Sequence, residues 1–132
     1  MGRTTAASSV LAVVLAVAGV GCGGGGPAFE QDEADSVLSY ILVDYSIGGD
    51  TRAKGPELFF KAANVGSQEH QLEVLDDQGE PVGVIEAFAP GALADPLAVA
   101  LEAGTYTLQC TLETKDGKAH RDLGMEAKLV VE

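Results

Sequence analysis

From residue 36 onward, short apolar segments alternate with turn-forming residues. Several segments place apolar and polar residues at alternate positions, which is the period of a half-buried strand, and they are rich in β-branched and aromatic residues. The predicted strands are residues 37–45, 58–63, 71–75, 82–88, 97–101, 105–112 and 128–131. Residues 92–100 are the one candidate for a helix, but Pro96 argues against a long one. Strands recurring roughly every ten residues between glycines and prolines predict an all-β domain, a β-sandwich.

The N-terminal segment has a different pattern, that of a signal peptide. Arg3 supplies a positive charge, and residues 10–20 are an unbroken apolar run, too short to span a membrane as a helix. The run ends in Gly19-Val20-Gly21-Cys22, which resembles a bacterial lipobox with Gly19 where Leu is usual. Lipidation of Cys22 is the favoured interpretation. The alternative is ordinary signal cleavage, with Cys22 a bystander or paired with Cys110.

These patterns divide the chain into three parts. Residues 1–21 are a signal peptide, residues 22–35 a tether carrying the lipid-anchor Cys22, and residues 36–132 a folded domain. The tether begins with four glycines after Cys22 and continues into acidic residues, a composition typical of a flexible, solvated linker. We therefore expect an exported protein held at a membrane in the bacterial cell envelope or periplasm.

The charge of the chain restricts its partners. With 20 acidic and 8 basic residues the formal net charge is −12, so the chain repels the phosphate backbone of nucleic acids. A partner protein with a basic surface is favoured instead.

The candidate chemistry lies around Cys110. If Cys22 is lipidated, Cys110 is the remaining thiol, and an unpaired thiol in an oxidising compartment is buried and inert, reactive, or a metal ligand. The chain also has two histidines, His70 and His120, and Met125 close to the second. One thiolate, two imidazoles and one thioether form the ligand set of a blue-copper electron-transfer site.

Residues 36–132 resemble a cupredoxin, the blue-copper domain family. The resemblance rests on four segments in order: residues 64–70, which end at His70; residues 103–110, which end at Cys110; residues 120–125, from His120 to Met125; and the closing strand. It implies a Greek-key β-sandwich with one copper ion bound by His70, Cys110, His120 and Met125. It also implies a monomeric one-electron carrier that works with a redox partner protein.

Two departures from the family pattern bear on the site. Nine residues, 111–119, separate Cys110 from His120, which is longer than the family usually has. Asp116-Gly117 is a turn signal within this insertion, so it either forms a small hairpin that returns His120 to the site or carries His120 away. In addition, Gln71 stands where the family often has an Asn that braces the Cys loop.

An enzyme is not expected. A copper enzyme needs further histidines for a second metal centre, and a Ser-His-Asp triad needs a spare one, whereas this chain has two in total. Two alternatives to electron transfer stay open: a protein that binds and delivers copper, and a copper-free interaction domain.

Overall fold

The computed structural model describes residues 29–132, which form nine β-strands and two single-turn 3₁₀ helices. The strands are β1 (Ser36–Val43), β2 (Ser46–Gly49), β3 (Arg52–Ala53), β4 (Glu57–Asn64), β5 (His70–Leu75), β6 (Pro81–Phe88), β7 (Leu97–Ala100), β8 (Gly104–Gln109) and β9 (Glu126–Val131). The 3₁₀ helices are η1 (Gln31–Glu33) and η2 (His120–Leu123). The predicted signal peptide, Cys22 and the glycine segment lie outside the described residues.

The strands form two mixed sheets. The first has the order β2-β1-β4-β7 and the second the order β3-β9-β8-β5-β6. In the first sheet β1 runs parallel to β4, with Ser36 opposite Leu58 and Leu42 opposite Asn64. In the second sheet β5, β8 and β9 are antiparallel neighbours. The predicted all-β Greek-key sandwich is confirmed.

The core forms where the inward-facing positions of the two sheets meet. In β1 the buried positions alternate with more exposed ones, and in β5 the buried positions are His70, Leu72 and Val74. Residues from both sheets contribute to one apolar cluster, including Leu38, Tyr40, Leu42, Leu58, Phe60, Leu72, Val74, Leu108 and Leu129. Each large side chain removed from water in this way contributes on the order of 1.5–3 kcal/mol.

One strand ends earlier than predicted, and the hydrogen bonds of the following residues explain why. All seven predicted strands are present, but the strand predicted to reach residue 112 ends at Gln109. Beyond that point the backbone bonds to another loop, because Cys110 N–H donates to the Met125 carbonyl and Arg121 N–H donates to the Cys110 carbonyl.

Two short strands, β2 and β3, were not predicted. In the sequence, the two adjacent glycines of β2 are typical of a turn that ends a strand. In the structure, however, β2 pairs antiparallel with β1. A Cβ at Gly49 would lie 2.6 Å from Tyr40 Cδ1, and the φ angle of Gly49 is +150°. Glycine is therefore what lets this edge strand approach so closely.

The acidic end of the predicted tether contacts the domain. The 3₁₀ turn η1 covers Gln31–Glu33, Asp35 N–H donates to the Glu57 carbonyl, and Glu57 N–H donates to the Asp35 carboxylate. Asp35 is thus hydrogen-bonded to the start of β4 through both its backbone and its side chain. The domain boundary at residue 36 stays a prediction. Within residues 29–132, no helix is long and apolar enough to cross a membrane.

Candidate metal centre

The sandwich brings His70 and Cys110 to one end of the second sheet. His70 is the first residue of β5, and Cys110 directly follows β8. These strands are antiparallel, with Glu73 opposite Gln109, so the start of β5 lies beside the chain as it leaves β8. Both side chains are completely buried. Register within the sheet therefore places one imidazole and one thiol together.

His120 reaches the same point because the insertion forms a small hairpin. Thr114 and Lys118 face each other across the turn that contains Gly117, and Glu113 bridges Ala119. The two arms then return the chain, and His120 N–H donates to the Leu112 carbonyl at 2.7 Å. Of the two outcomes left open by the sequence, the structure has the hairpin that returns His120.

The three side chains converge on a small buried space. One ligand atom from each of His70, Cys110 and His120 lies within 4.8 Å of the others. The two Nδ1 atoms are 3.3 Å apart, and Cys110 Sγ lies 3.5 Å from His120 Nδ1. Within residues 29–132, Cys110 is not in a disulfide. Two imidazole nitrogens and one thiolate sulfur are the equatorial donors of a blue-copper site, so this cluster fits a single type 1 copper ion.

Met125 lies beside the cluster, immediately before β9. Its N–H donates to the His120 carbonyl at 3.1 Å, and its carbonyl accepts from Cys110 N–H at 3.2 Å. Its side chain is completely buried in the apolar core. These contacts hold Met125 next to two of the candidate ligands, and its role as a fourth ligand stays a prediction.

Nε2 of His70 is hydrogen-bonded to a residue that the sequence did not point to. Asp44, which follows β1, accepts from His70 Nε2 at 2.7 Å. Ser67 in turn donates its N–H and its hydroxyl to the Asp44 carboxylate. The hydrogen bond from the Ser67 hydroxyl is the largest influence on the pKa of Asp44, which is lowered to about 2. Partial burial opposes this shift, and Ser67 N–H and His70 add to it.

His120 is covered by Tyr45, the second missed residue. The two rings meet edge to face with centroids 5.1 Å apart, and the Tyr45 hydroxyl accepts from the Gln68 side chain at 2.6 Å. His120 Nε2 is buried and has no hydrogen-bond partner within residues 29–132. Burial lowers the pKa of His120, and the neighbouring His70 lowers it further, so the neutral imidazole that binds metals is favoured.

Asp44 and Tyr45 had no usable signal in the sequence. They stand 26 and 75 positions before the histidines they contact, at the end of a predicted strand where an acidic residue and a tyrosine are unremarkable. Only pairing of β1 with β4 and β2 carries them to the end of the sandwich that holds the cluster. Gln71, by contrast, stands where the cupredoxin pattern often has an Asn that braces the Cys loop. Its N–H lies 3.4 Å from Cys110 Sγ, and its side chain accepts hydrogen bonds from Thr111.

The fold and the cluster together define a cupredoxin-like β-sandwich with a site suited to one copper ion. Auracyanin from the photosynthetic bacterium Roseiflexus castenholzii, reduced with sodium dithionite, is similar in structure, with a TM-score of 0.59 and 15% sequence identity over 75% of this chain and 98% of that one. Auracyanin A from Chloroflexus aurantiacus, described as a "blue" copper protein, has a TM-score of 0.55 and 14% identity over 74% of this chain and 100% of that one. No protein-family model matches the sequence, and no curated protein is similar enough to count as a match. At these identities the structural likeness establishes the fold.

Proposed function

We propose that the protein is an exported, lipid-anchored carrier of single electrons that binds one copper ion through His70, Cys110, His120 and Met125. The observation that carries the proposal is the convergence of two Nδ1 atoms and one Sγ atom in a buried space at one end of a cupredoxin-like sandwich. The likeness to a blue copper protein of the same fold supports it.

The donor set suits both oxidation states of copper. Thiolate and thioether ligands favour Cu(I), whereas imidazole ligands favour Cu(II). Because the site offers both kinds of ligand, the bound ion would gain and lose one electron with little change in ligation. The backbone also holds the three candidate ligands of the cluster in fixed positions. His70 is part of a strand, Cys110 is bonded through its backbone to Met125, and His120 begins the 3₁₀ turn η2.

Electron transfer fits the rest of the chain better than catalysis does. Both histidines of the sequence belong to the cluster, so no imidazole is available for a second metal centre or for acid-base chemistry. The chain carries a formal net charge of −12, which favours a redox partner with a basic surface. The signal peptide and the lipid anchor at Cys22 are proposed from residues 1–22 of the sequence.

The test is the visible absorption spectrum of the purified full-length protein, in mild detergent, after addition of one equivalent of Cu(II). We expect an intense thiolate-to-copper charge-transfer band that disappears on reduction and returns on reoxidation. Cys110→Ser should abolish the band. Cys22→Ser is the matched control, because it removes the other cysteine of the chain and should leave the band unchanged.

The same samples separate the alternatives. A band with reversible one-electron voltammetry supports the electron carrier. Tight Cu(I) binding, without a reversible wave and with rapid transfer to a chelator, would instead indicate copper delivery. Failure of the folded wild-type protein to bind copper would contradict both and leave the copper-free interaction domain. Membrane association that is lost in Cys22→Ser, with a lipid-sized mass difference, tests the anchor separately.

A further inference from the structure

The Asp44–His70 contact determines which nitrogen of His70 is free. An ionised carboxylate has no proton to donate, so the hydrogen in the 2.7 Å contact belongs to His70 Nε2. Nδ1 of a neutral His70 then keeps its lone pair, and it is Nδ1 that faces His120 and the cluster. The contact therefore presents the metal-binding nitrogen of His70 inward before any metal arrives.

Asp44 is itself held in place by hydrogen bonds from Ser67 and by its contact with His70. Ser67 N–H lies 3.2 Å from one carboxylate oxygen and 3.0 Å from the other, and the Ser67 hydroxyl adds a further bond. There is no room for a side chain at Gly66 beside this contact, since a Cβ there would lie 2.7 Å from His70 Nε2 and would also overlap an Asp44 oxygen. The Asp44 side chain is 21% exposed and His70 is fully buried. The negative charge of Asp44 is thus partly exposed to solvent, and it lies in direct contact with the buried imidazole of His70.

We propose that Asp44 is a positioning residue for the copper site: it orients His70 Nδ1 toward the metal, and its negative charge favours Cu(II) over Cu(I). This inference rests on the proposed function, because it assigns a role in the same site. It predicts a lower reduction potential than the His-Cys-His-Met donor set would have with a neutral group behind His70. A fixed negative charge lowers the free energy of the more positive metal state by the larger amount, and burial of the intervening ring limits screening by solvent.

Three variants separate orientation from charge. Asp44→Asn keeps an oxygen acceptor for Nε2–H but removes the negative charge. Asp44→Ala removes both. Asp50→Asn is the matched control: Asp50 also accepts a backbone N–H, from Ser39 at 2.8 Å, and it lies at the far end of β2 from Asp44.

The first measurement is made on the metal-free protein by ¹⁵N NMR of the histidine rings. We expect His70 to carry its proton on Nε2 in the wild type, in Asp44→Asn and in Asp50→Asn, and to lose this fixed tautomer in Asp44→Ala. The second measurement is Cu(II) affinity, which Asp44→Ala should weaken by about 10- to 100-fold, as is usual when the hydrogen-bond partner of a ligating histidine is lost.

The third measurement is the reduction potential of the copper-loaded variants. Asp44→Asn should lower the ratio of Cu(II) to Cu(I) affinity by about tenfold, which corresponds to a rise of about 59 mV for a one-electron couple. Asp50→Asn should leave the potential close to that of the wild type. Equal shifts in the two Asn variants would overturn the charge effect, because they would reflect net charge alone.

The design distinguishes failure of this inference from failure of the proposed function. If the wild type gives a reversible blue-copper signal and Asp44→Asn has the wild-type potential, the charge effect is wrong and the proposed function stands. If the wild type binds no copper, the proposed function and the charge effect both fail. The NMR result decides the orientation of His70 in either case, since an unchanged His70 tautomer in folded Asp44→Ala would overturn it.

Discussion

Gln71 accepts two hydrogen bonds from Thr111, one from the backbone N–H at 3.1 Å and one from the hydroxyl at 2.7 Å. These two residues directly follow His70 and Cys110, so the side chain of Gln71 ties together the segments that carry two candidate ligands. The sequence suggested a brace at this position, with Gln in place of the more usual Asn. The longer side chain still reaches the loop.

Replacing Gln71 with Leu should destabilise the metal-free protein by about 1–3 kcal/mol, because two Thr111 donors lose their acceptor in a half-buried position. Urea unfolding measures the change in the free energy of unfolding. Gln78→Leu, in an exposed turn, is the control and should stay within about 0.5 kcal/mol of the wild type. Equal stabilities of the two variants would show that the brace contributes nothing.

Gly66 should not tolerate even a methyl group. The Cβ of Ala would press on His70 Nε2 and Asp44, so Gly66→Ala should cost about 1–3 kcal/mol in unfolding free energy. Gly48→Ala is the matched control, because the nearest atom to its Cβ is the Ile41 carbonyl oxygen at 3.9 Å. It should be neutral or stabilising by up to about 1 kcal/mol. Thermal or urea unfolding checks the pair, and a smaller loss for Gly66→Ala than for Gly48→Ala would refute the crowding.

Met125 allows packing and ligation to be tested separately. Met125→Leu conserves volume in the core and should cost under about 1.5 kcal/mol, whereas Met125→Ala should cost about 2–5 kcal/mol. If Met125 is the axial ligand, the Leu variant should keep the charge-transfer band and shift the reduction potential, since the axial ligand tunes it. Voltammetry measures the potential. If the stable Met125→Leu protein has the same reduction potential as the wild type, Met125 is not the axial ligand.

Tyr40 should make the protein sensitive to alkaline pH. Burial, with a smaller contribution from Asp50, raises the pKa of Tyr40 above its ordinary value of 10.0, and the hydroxyl donates to the Asp50 carbonyl at 2.9 Å. Above pH 10 the unfolded chain releases this proton while the folded protein keeps it, so stability falls as pH rises. Tyr40→Phe should be less stable than the wild type by about 1 kcal/mol at pH 8.

That difference should shrink as the pH rises above 10, because Phe has no proton to lose. Urea unfolding of both proteins between pH 8 and pH 11 measures it. A constant difference across the range would mean that Tyr40 ionises equally in the folded and unfolded states.

The proposed preference for a basic partner predicts opposite salt effects for two small oxidants. Reaction of the reduced, copper-loaded protein with a cationic metal complex should slow as ionic strength rises, since a net charge of −12 attracts the complex. Reaction with an anionic complex should become faster, because salt screens the repulsion over about 10 Å at 0.1 M. Stopped-flow rates at several salt concentrations check both. Identical slopes for the two oxidants would rule out electrostatic steering.

The sequence by itself determined the fold class and most of the candidate site. Strand periods and turn residues are local properties, so residues such as 71–75 and 82–88 could be assigned to strands from their own composition. Cys110, His120 and Met125 could be grouped because they are near one another in the chain, and His70 joined them through resemblance to the cupredoxin pattern.

The tertiary structure decided what depends on contacts between distant segments. It alone brings Asp44 to His70 and Tyr45 to His120, because strand pairing in the first sheet sets where the end of β1 lies. It also decides whether the insertion of residues 111–119 returns His120 to the site or carries it away. A turn signal in the sequence specifies a bend, but it does not specify where the residues on either side of the bend pack. Hydrogen bonds and packing across that space are non-local, and no local pattern of residues encodes them.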